Sequence, residues 1–428
     1  MHDTGSDAPS QGPDAPPEPE VFDVLDAPAE GVPEVVADEA GLGQVIAALS
    51  RGTGPVALDA ERASGYRYGQ DAYLVQVRRA GSGSHLIDPV GCPDLSSLDA
   101  ALQDVEWVLH AATQDIPCLA DLGMRPRRLF DTELGARLAG LPRAGLSSVL
   151  EYYLGITLAK EHSAVDWSTR PLPQAWLNYA VLDVELLLPL RDRMERDLAE
   201  QGKLGWAEQE FAALTSFTGP KARVDPWRRV SGTSKLRSRR ALARLQSLWN
   251  VREAIAQERD VTPGKVLPDH ALIDLAQRNP TDEQALHQGP TDPSPTRARR
   301  AAQGLRRHGE AWLSALSAAE RLPEAELPAR SRSTSGPPPA RSWPDRAPEA
   351  ADRLTKAKSR LAEISADLEI PVENLLTPDL LRALLWDPPA DSDPPAIDAA
   401  LASLGARPWQ RELLAPMLSE ILRAQQRA

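Results

Sequence analysis

Cysteine is scarce: Cys92 and Cys118 are the only two in 428 residues. Their number and spacing make neither a disulfide framework nor a metal-ligand set. Thiol redox chemistry is therefore not expected, and each reads as a small buried hydrophobe. Aromatic side chains make up only 5%, so Leu, Val and Ala must build the core. No apolar run approaches the ~20 residues of a membrane span. The first 39 residues contain no Lys or Arg, and so acidic a start does not read as a signal peptide. A cytoplasmic protein of two or three domains, with no membrane partner, is the expectation.

Positive charge is also in deficit, with a net charge of −13. Eleven acids lie within residues 1–39, and setting them aside takes −13 to −2. The proline-rich stretch 1–32 is expected to be an acidic, disordered tail. Apolar residues return from about Val21, where the segment is expected to be able to pack on the body. The balance reverses between Lys221 and Arg240, where eight basic side chains face Asp225 alone and Trp227 is interleaved. Such a mixture suits phosphates and bases, which makes Arg228, Arg229, Arg237 and Arg239 candidate nucleic-acid contacts. It reads equally as a solvated linker entering a helix. A second basic run, Arg297, Arg299, Arg300, Arg306 and Arg307, has helical spacing and the same two readings.

Acids are plentiful, and three separate stretches arrange them in a way that carries chemistry. In LDAER (Leu58 to Arg62), an apolar run from Pro55 predicts a strand. Alternate side chains of a strand share a face, so Asp59 and Glu61 point one way and Ala60 the other. In HAATQD (His110 to Asp115), a strand ending at His110 gives way to a helix with Asp115 in its first turns. In YAVLD (Tyr179 to Asp183), helical periodicity over 172–200 sets Tyr179 and Asp183 side by side at i and i+4. Taken singly, each has an ordinary explanation: a solvated strand end, dipole compensation, a Tyr–Asp surface pair. Taken together, they place four carboxylates and a phenol where two divalent cations could be held for attack on a phosphodiester.

This order of motifs resembles the DEDD superfamily of 3'-5' exonucleases, in the branch with Tyr in its last motif, and within it ribonuclease D. Gln76 in YLVQV, FDTELGARL (Phe130 to Leu138) and DWSTRPL (Asp166 to Leu172) extend the likeness over roughly Pro33 to Trp206. One departure is Ala60, where the family often has Thr; it faces away from the acids. The resemblance implies a ribonuclease H-like α/β domain with a mixed sheet of about five strands. Candidate strands are Val56 to Asp59, Tyr73 to Arg79, His85 to Asp88, Trp107 to His110 and Arg127 to Asp131.

The C-terminal half contains a diverged repeat. Shifted by 109 residues, Glu258 to Pro280 aligns with Asp367 to Pro389, pairing Val261 with Ile370, Val266 with Leu375, Leu267 with Leu376, Leu272 with Leu381 and Leu275 with Leu384. LWNVREAIAQERDVTPGKVLPD resembles the helicase-and-RNase-D C-terminal (HRDC) domain. The expected order is tail 1–32, exonuclease 33–215, basic linker 216–240, HRDC bundle 241–325, Pro/Ser-rich linker 326–347 and a second, HRDC-like all-α bundle 348–428.

The likeness implies stepwise 3'-5' hydrolysis of RNA with release of nucleoside 5'-monophosphates. Its catalytic set is Asp59, Glu61, Asp115, Tyr179 and Asp183. The four acids would hold two Mg²⁺ or Mn²⁺ ions, and Tyr179 would orient water. RNA 3' ends, transfer RNA precursors among them, are the implied partner. A DNA exonuclease and an inert nucleic-acid-binding adaptor remain alternatives.

Overall fold

In a computed structural model of the chain, residues 22–158, 164–288, 294–330 and 336–426 are described. Eight strands lie among them: β1 (Asp23–Leu25), β2 (Val35–Val36), β3 (Thr53–Arg62), β4 (Ala72–Ala80), β5 (Gly83–Ile87), β6 (Glu106–Leu109), β7 (Arg128–Asp131) and β8 (Ile156–Leu158). Six form one mixed sheet in the order β2-β5-β4-β3-β6-β7, and β1 pairs with β8 in a separate parallel ribbon. β3, β4 and β5 form an antiparallel meander, while β6 and β7 add parallel to β3. The five expected strands are present. The two-residue β2 and the β1–β8 ribbon are too short to show periodicity.

Side chains of β3 alternate between two cores. Val56, Leu58 and Ala60 pack with Leu42, Val45 and Leu49 of the helix Glu39–Arg51. Ala57 points the other way, into the core formed with Leu182, Leu187 and Leu190. Asp38 starts the first of these helices by accepting from Gly41 N at 2.7 Å, a standard N-cap.

Three expectations are corrected. The tail bound at 32 is set too late: residues 22–32 pack on the body, as the returning apolar residues suggest, with β1 paired to β8 and Asn178 donating to Asp26 O at 2.7 Å. The rest of the tail, 1–21, lies outside the described residues. The helix read over 172–200 is two, Gln174–Glu185 and Leu187–Glu200. Pro189 explains the break, because its ring would clash with the Glu185 carbonyl of a continuous helix. Part of the 326–347 linker is packed: Trp343 is fully buried and its Nε1 donates to Pro338 O at 2.8 Å. Residues 331–335 of that linker lie outside the described residues.

Two helical bundles follow the sheet domain. The helix Pro263–Val266 recurs 109 residues later as Val372–Leu375, flanked by Arg239–Glu258 and Asp269–Arg278 in one bundle and by Pro348–Leu368 and Pro378–Trp386 in the other. The paired positions are buried in both, with Val261 partly so. The second bundle shares a continuous core with the back of the sheet domain. Trp409 stacks on Trp206 at 5.0 Å, and its Nε1 donates to Glu210 Oε1 at 2.9 Å. No described helix is long and apolar enough to cross a membrane.

Candidate active site

β3 delivers the first acid pair. Asp59 lies opposite Gln76 in the β3–β4 register, and Gln76 Nε2 donates to Asp59 Oδ2 at 3.3 Å. The register slips between Glu61 and Arg62. The residue left unpaired there is Tyr73 of β4, and Arg62, at the end of β3, lines the same cavity as Asp59, Ala60 and Glu61.

Asp115 is delivered by a turn rather than by a regular helix start. Ala111 has φ 59°, a short 3-10 turn covers Ala112–Gln114, and Asp115 precedes the helix Ile116–Asp121. Asp131 holds this turn. Its buried carboxylate accepts from Ala111 N, Ala112 N, Glu133 N and Leu134 N at 2.9–3.1 Å. His110 forms part of the wall. Its Nδ1 lies 2.9 Å from Thr132 Oγ1, and burial pushes its pKa down to about 4, so the ring is neutral near pH 7.

Tyr179 and Asp183 sit one turn apart on the helix Gln174–Glu185. The Tyr179 ring lies 6.5 Å from that of Trp167, which is fully buried. Arg170 fixes the approach to this helix. It grips Asp88 with two bonds, Nε to Oδ2 at 2.7 Å and Nη2 to Oδ1 at 2.6 Å, and also donates to the Tyr73 and Trp167 carbonyls. Such a bidentate pair adds geometric definition as well as energy.

All five expected catalytic residues line one cavity of about 240 Å³, together with Ala60, Arg62, His110, Gln114, Leu146 and Leu187. Asp59, Glu61 and Asp183 each offer an oxygen within 4.8 Å of the others. Asp115 stands apart from that trio and pairs with Arg62, Nη2 to Oδ1 at 3.8 Å. Burial raises the Asp59 pKa to about 6. Burial, reinforced by the neighbouring acids, holds Glu61, Asp115 and Asp183 well above the carboxylate range. Burial and the charges of Asp183, Glu61 and Asp59 likewise push Tyr179 upward, so its hydroxyl stays protonated.

This donor set fits divalent cations. Its ligands are hard oxygens, as Mg²⁺ or Mn²⁺ prefer. Crowded carboxylates with raised pKa values are relieved by a cation placed among them. Arg62 counters the upward shift at Asp59, Glu61 and Asp115 but does not act on Asp183, so it does not serve all four.

The basic segment is arranged differently from the sequence expectation. Trp227 is buried in the first bundle's core, not interleaved on a surface. Arg228 stacks on it at 4.3 Å and bonds Asp225 and Ala329 O. Arg239 donates to the Pro328 and Leu327 carbonyls. Both arginines are bonded within the chain, whereas Arg229 and Arg237 are exposed. Cys92 and Cys118 are buried free thiols, and burial pushes Cys118 up to about 12.

Sequence reasoning assigned no role to Arg62, Asp131 or Arg170. The signal for Asp131 was an Asp directly before a helical run, an N-cap pattern. Arg62 meets Asp115 and Gln114 only through the fold, which no local pattern announces.

A mixed sheet with three acids converging from β3 and an opposing helix, and a fourth from a strand-to-helix turn, defines an exonuclease-type metal cleft. A family model described as 3'-5' exonuclease matches residues 33–199, one for the HRDC domain matches 241–316, and one for a 3' to 5' exonuclease C-terminal domain matches 336–422. Ribonuclease D of Granulibacter bethesdensis is 32% identical over 249 residues, 56% of this chain and 60% of that protein. Ribonuclease D of Escherichia coli K12 is 32% identical over 283 residues, 64% of this chain and 71% of its own. Its crystal structure, described as that of an exoribonuclease involved in structured RNA processing, matches with TM-score 0.65 and 26% identity over 91% of this chain and 98% of that one. A Bifidobacterium adolescentis protein of solved structure matches with TM-score 0.83 and 37% identity over 94% of this chain and all of that one. The chain belongs to the ribonuclease D family.

Proposed function

We propose that this chain is a 3'-5' exoribonuclease that removes nucleoside 5'-monophosphates one at a time from RNA. The convergence of Asp59, Glu61, Asp115, Asp183 and Tyr179 on one cavity supports this reading. Asp59 would contact both of two divalent ions, Mg²⁺ or Mn²⁺. Glu61 and Asp183 would complete one ion's protein ligands, and Asp115 would support the other. Bound ions supply the positive charge that activates water and stabilises the leaving 3' oxygen.

The chain's own groups do the positioning. Tyr179, protonated at working pH, accepts and donates hydrogen bonds and so orients the attacking water; a phenolate base is not required. Neutral His110 shapes the wall without adding charge. The Asp131 and Arg170 networks hold the two segments that carry Asp115 and Tyr179.

RNA contact is assigned to the helix Pro295–Arg307 together with Arg229 and Arg237. Arg299, Arg300, Arg306 and Arg307 are exposed on it, and its sequence contains no acid. It packs closely, since a Cβ added at Gly304 would lie 2.1 Å from Val266 O. A rigid cationic face of this kind attracts a phosphate backbone. Residues 348–426 are proposed as a diverged second HRDC-like unit that braces the nuclease. The proposed substrates are the 3' ends of transfer RNA precursors and other small stable RNAs, processed in the cytoplasm.

The test is hydrolysis of single-stranded RNA and DNA side by side with Mg²⁺. RNA shortened from its 3' end, with 5'-monophosphate products, is the expected result. Preference for DNA would make this a DNA exonuclease, and inactivity on both would make it a binding adaptor.

A further inference from the structure

The loop that leaves the acid-bearing strand docks on the first helical bundle. Asp260, just past the helix Arg239–Glu258, accepts from Arg67 Nη1 at 3.2 Å and from the Tyr68 backbone N–H at 3.0 Å. Tyr68 packs against that bundle's core. Lys265 of the bundle donates to Tyr66 O at 3.3 Å and sits 4.9 Å from the Tyr66 ring centre. Asp260 has φ 44°, a left-handed conformation that Asp tolerates better than most residues.

The same arginine reaches a second segment. Arg67 Nε donates to Ser168 Oγ at 2.8 Å, and Ser168 Oγ donates to Asp166 Oδ1 at 2.5 Å. Tyr66 Oη donates to Ala164 O at 3.3 Å. Arg67 lies six residues after Glu61, and Ser168 six residues before Gln174, where the helix carrying Tyr179 and Asp183 begins. One guanidinium thus joins the chain leaving one half of the site to the chain entering the other. Asp260 fixes that guanidinium from a different domain.

We infer that Asp260 is a positioning residue for the nuclease site, acting through Arg67, so that the first bundle braces the catalytic carboxylates apart from any grip on RNA. A half-exposed ion pair by itself contributes little stability. Its effect here is geometric, and misplacing catalytic groups by about 1 Å costs ~10²-fold in rate. The inference rests on the nuclease reading above.

The experiment compares a dinucleotide, which has no 5' extension to span the bundle, with a 20-nucleotide RNA, using full-length protein. Asp260→Ala and Arg67→Ala should each lower kcat on both substrates by the same factor, roughly 10-fold or more, with KM unchanged. The double variant should be no worse than the worse single one, as for residues that act as a unit. Asp260→Asn, which keeps an acceptor for Tyr68 N, should retain more activity, and it serves as the milder variant if Ala unfolds the elbow. Thermal midpoints separate loss of fold from loss of positioning. Unchanged dinucleotide turnover with a raised KM on long RNA would overturn the brace and leave the bundle as an RNA grip. A wild type inactive on both substrates would overturn the nuclease reading instead.

Discussion

Arg62 reaches across the cleft to Asp115, its Nη2 3.8 Å from Oδ1 and 3.4 Å from Gln114 Oε1. It is the basic side chain that lines a cavity holding four carboxylates. It lowers the pKa values of Asp59, Glu61 and Asp115 against the burial that raises them. In the metal-free protein it partly does the work of a cation. Arg62→Gln should therefore lower the metal-free thermal midpoint and enlarge the stabilisation gained on adding Mg²⁺. Scanning calorimetry with and without the ion checks this, and an unchanged ion response would remove Arg62 from the electrostatics of the cleft.

Asp59 makes a pH-dependent prediction. Its folded pKa is raised to about 6, above the ordinary 3.8. Its protonated form therefore adds stability that is complete below the ordinary value and lost as pH rises through about 6. Asp59→Asn fixes a neutral side chain there. It should raise the metal-free midpoint at pH 7.5, leave it nearly unchanged at pH 4, and abolish turnover at any pH. Unfolding curves at the two pH values, alongside Mg²⁺-dependent assays, provide the comparison.

Tyr179→Phe keeps the ring against Trp167 and deletes the hydroxyl. A loss of kcat of about 10²-fold is expected, the scale of general acid–base contributions, with RNA affinity little changed. An equal loss of affinity would make the tyrosine a substrate contact.

The C-terminal bundle cannot be cut away freely. Trp409 and Trp206 stack in a core continuous with Phe211 and Leu190, so truncation after Phe217 should yield an aggregating nuclease domain. Trp409→Ala should destabilise the full chain by about 3–5 kcal/mol. Chemical denaturation measures this; a fully stable truncated domain would show the shared core to be dispensable.

The proposed RNA-binding face predicts salt dependence. Neutralising Arg299, Arg300, Arg306 and Arg307 should flatten the plot of log affinity against log salt by roughly one unit for each phosphate no longer neutralised. Neutralising Arg228 and Arg239 should instead lower stability, since they bond Asp225, Ala329 O, Leu327 O and Pro328 O.

Local periodicity was enough for the strands flanking the site and for the Tyr179–Asp183 pairing, because each depends on a few adjacent residues. Residues 23–25 were hidden because three-residue strands carry no period and their partner lies more than 130 positions away. The meeting of Arg62 with Asp115, the burial of Trp227 and the packing of Trp343 all depend on tertiary contacts that composition does not encode. Charge counting is incomplete for the same reason: Arg228 bonds the Asp225 carboxylate and Ala329 O, and Arg239 bonds Leu327 O and Pro328 O, contacts that a count of charges does not show.

The most direct measurement follows 5'-end-labelled single-stranded RNA with Mg²⁺, comparing wild type with Asp183→Asn. Wild type should give a ladder that shortens one nucleotide at a time from the 3' end. Asp183→Asn, with an equal or higher thermal midpoint, should leave the RNA intact. Near-normal shortening by Asp183→Asn would contradict the assignment of catalysis to this carboxylate cleft.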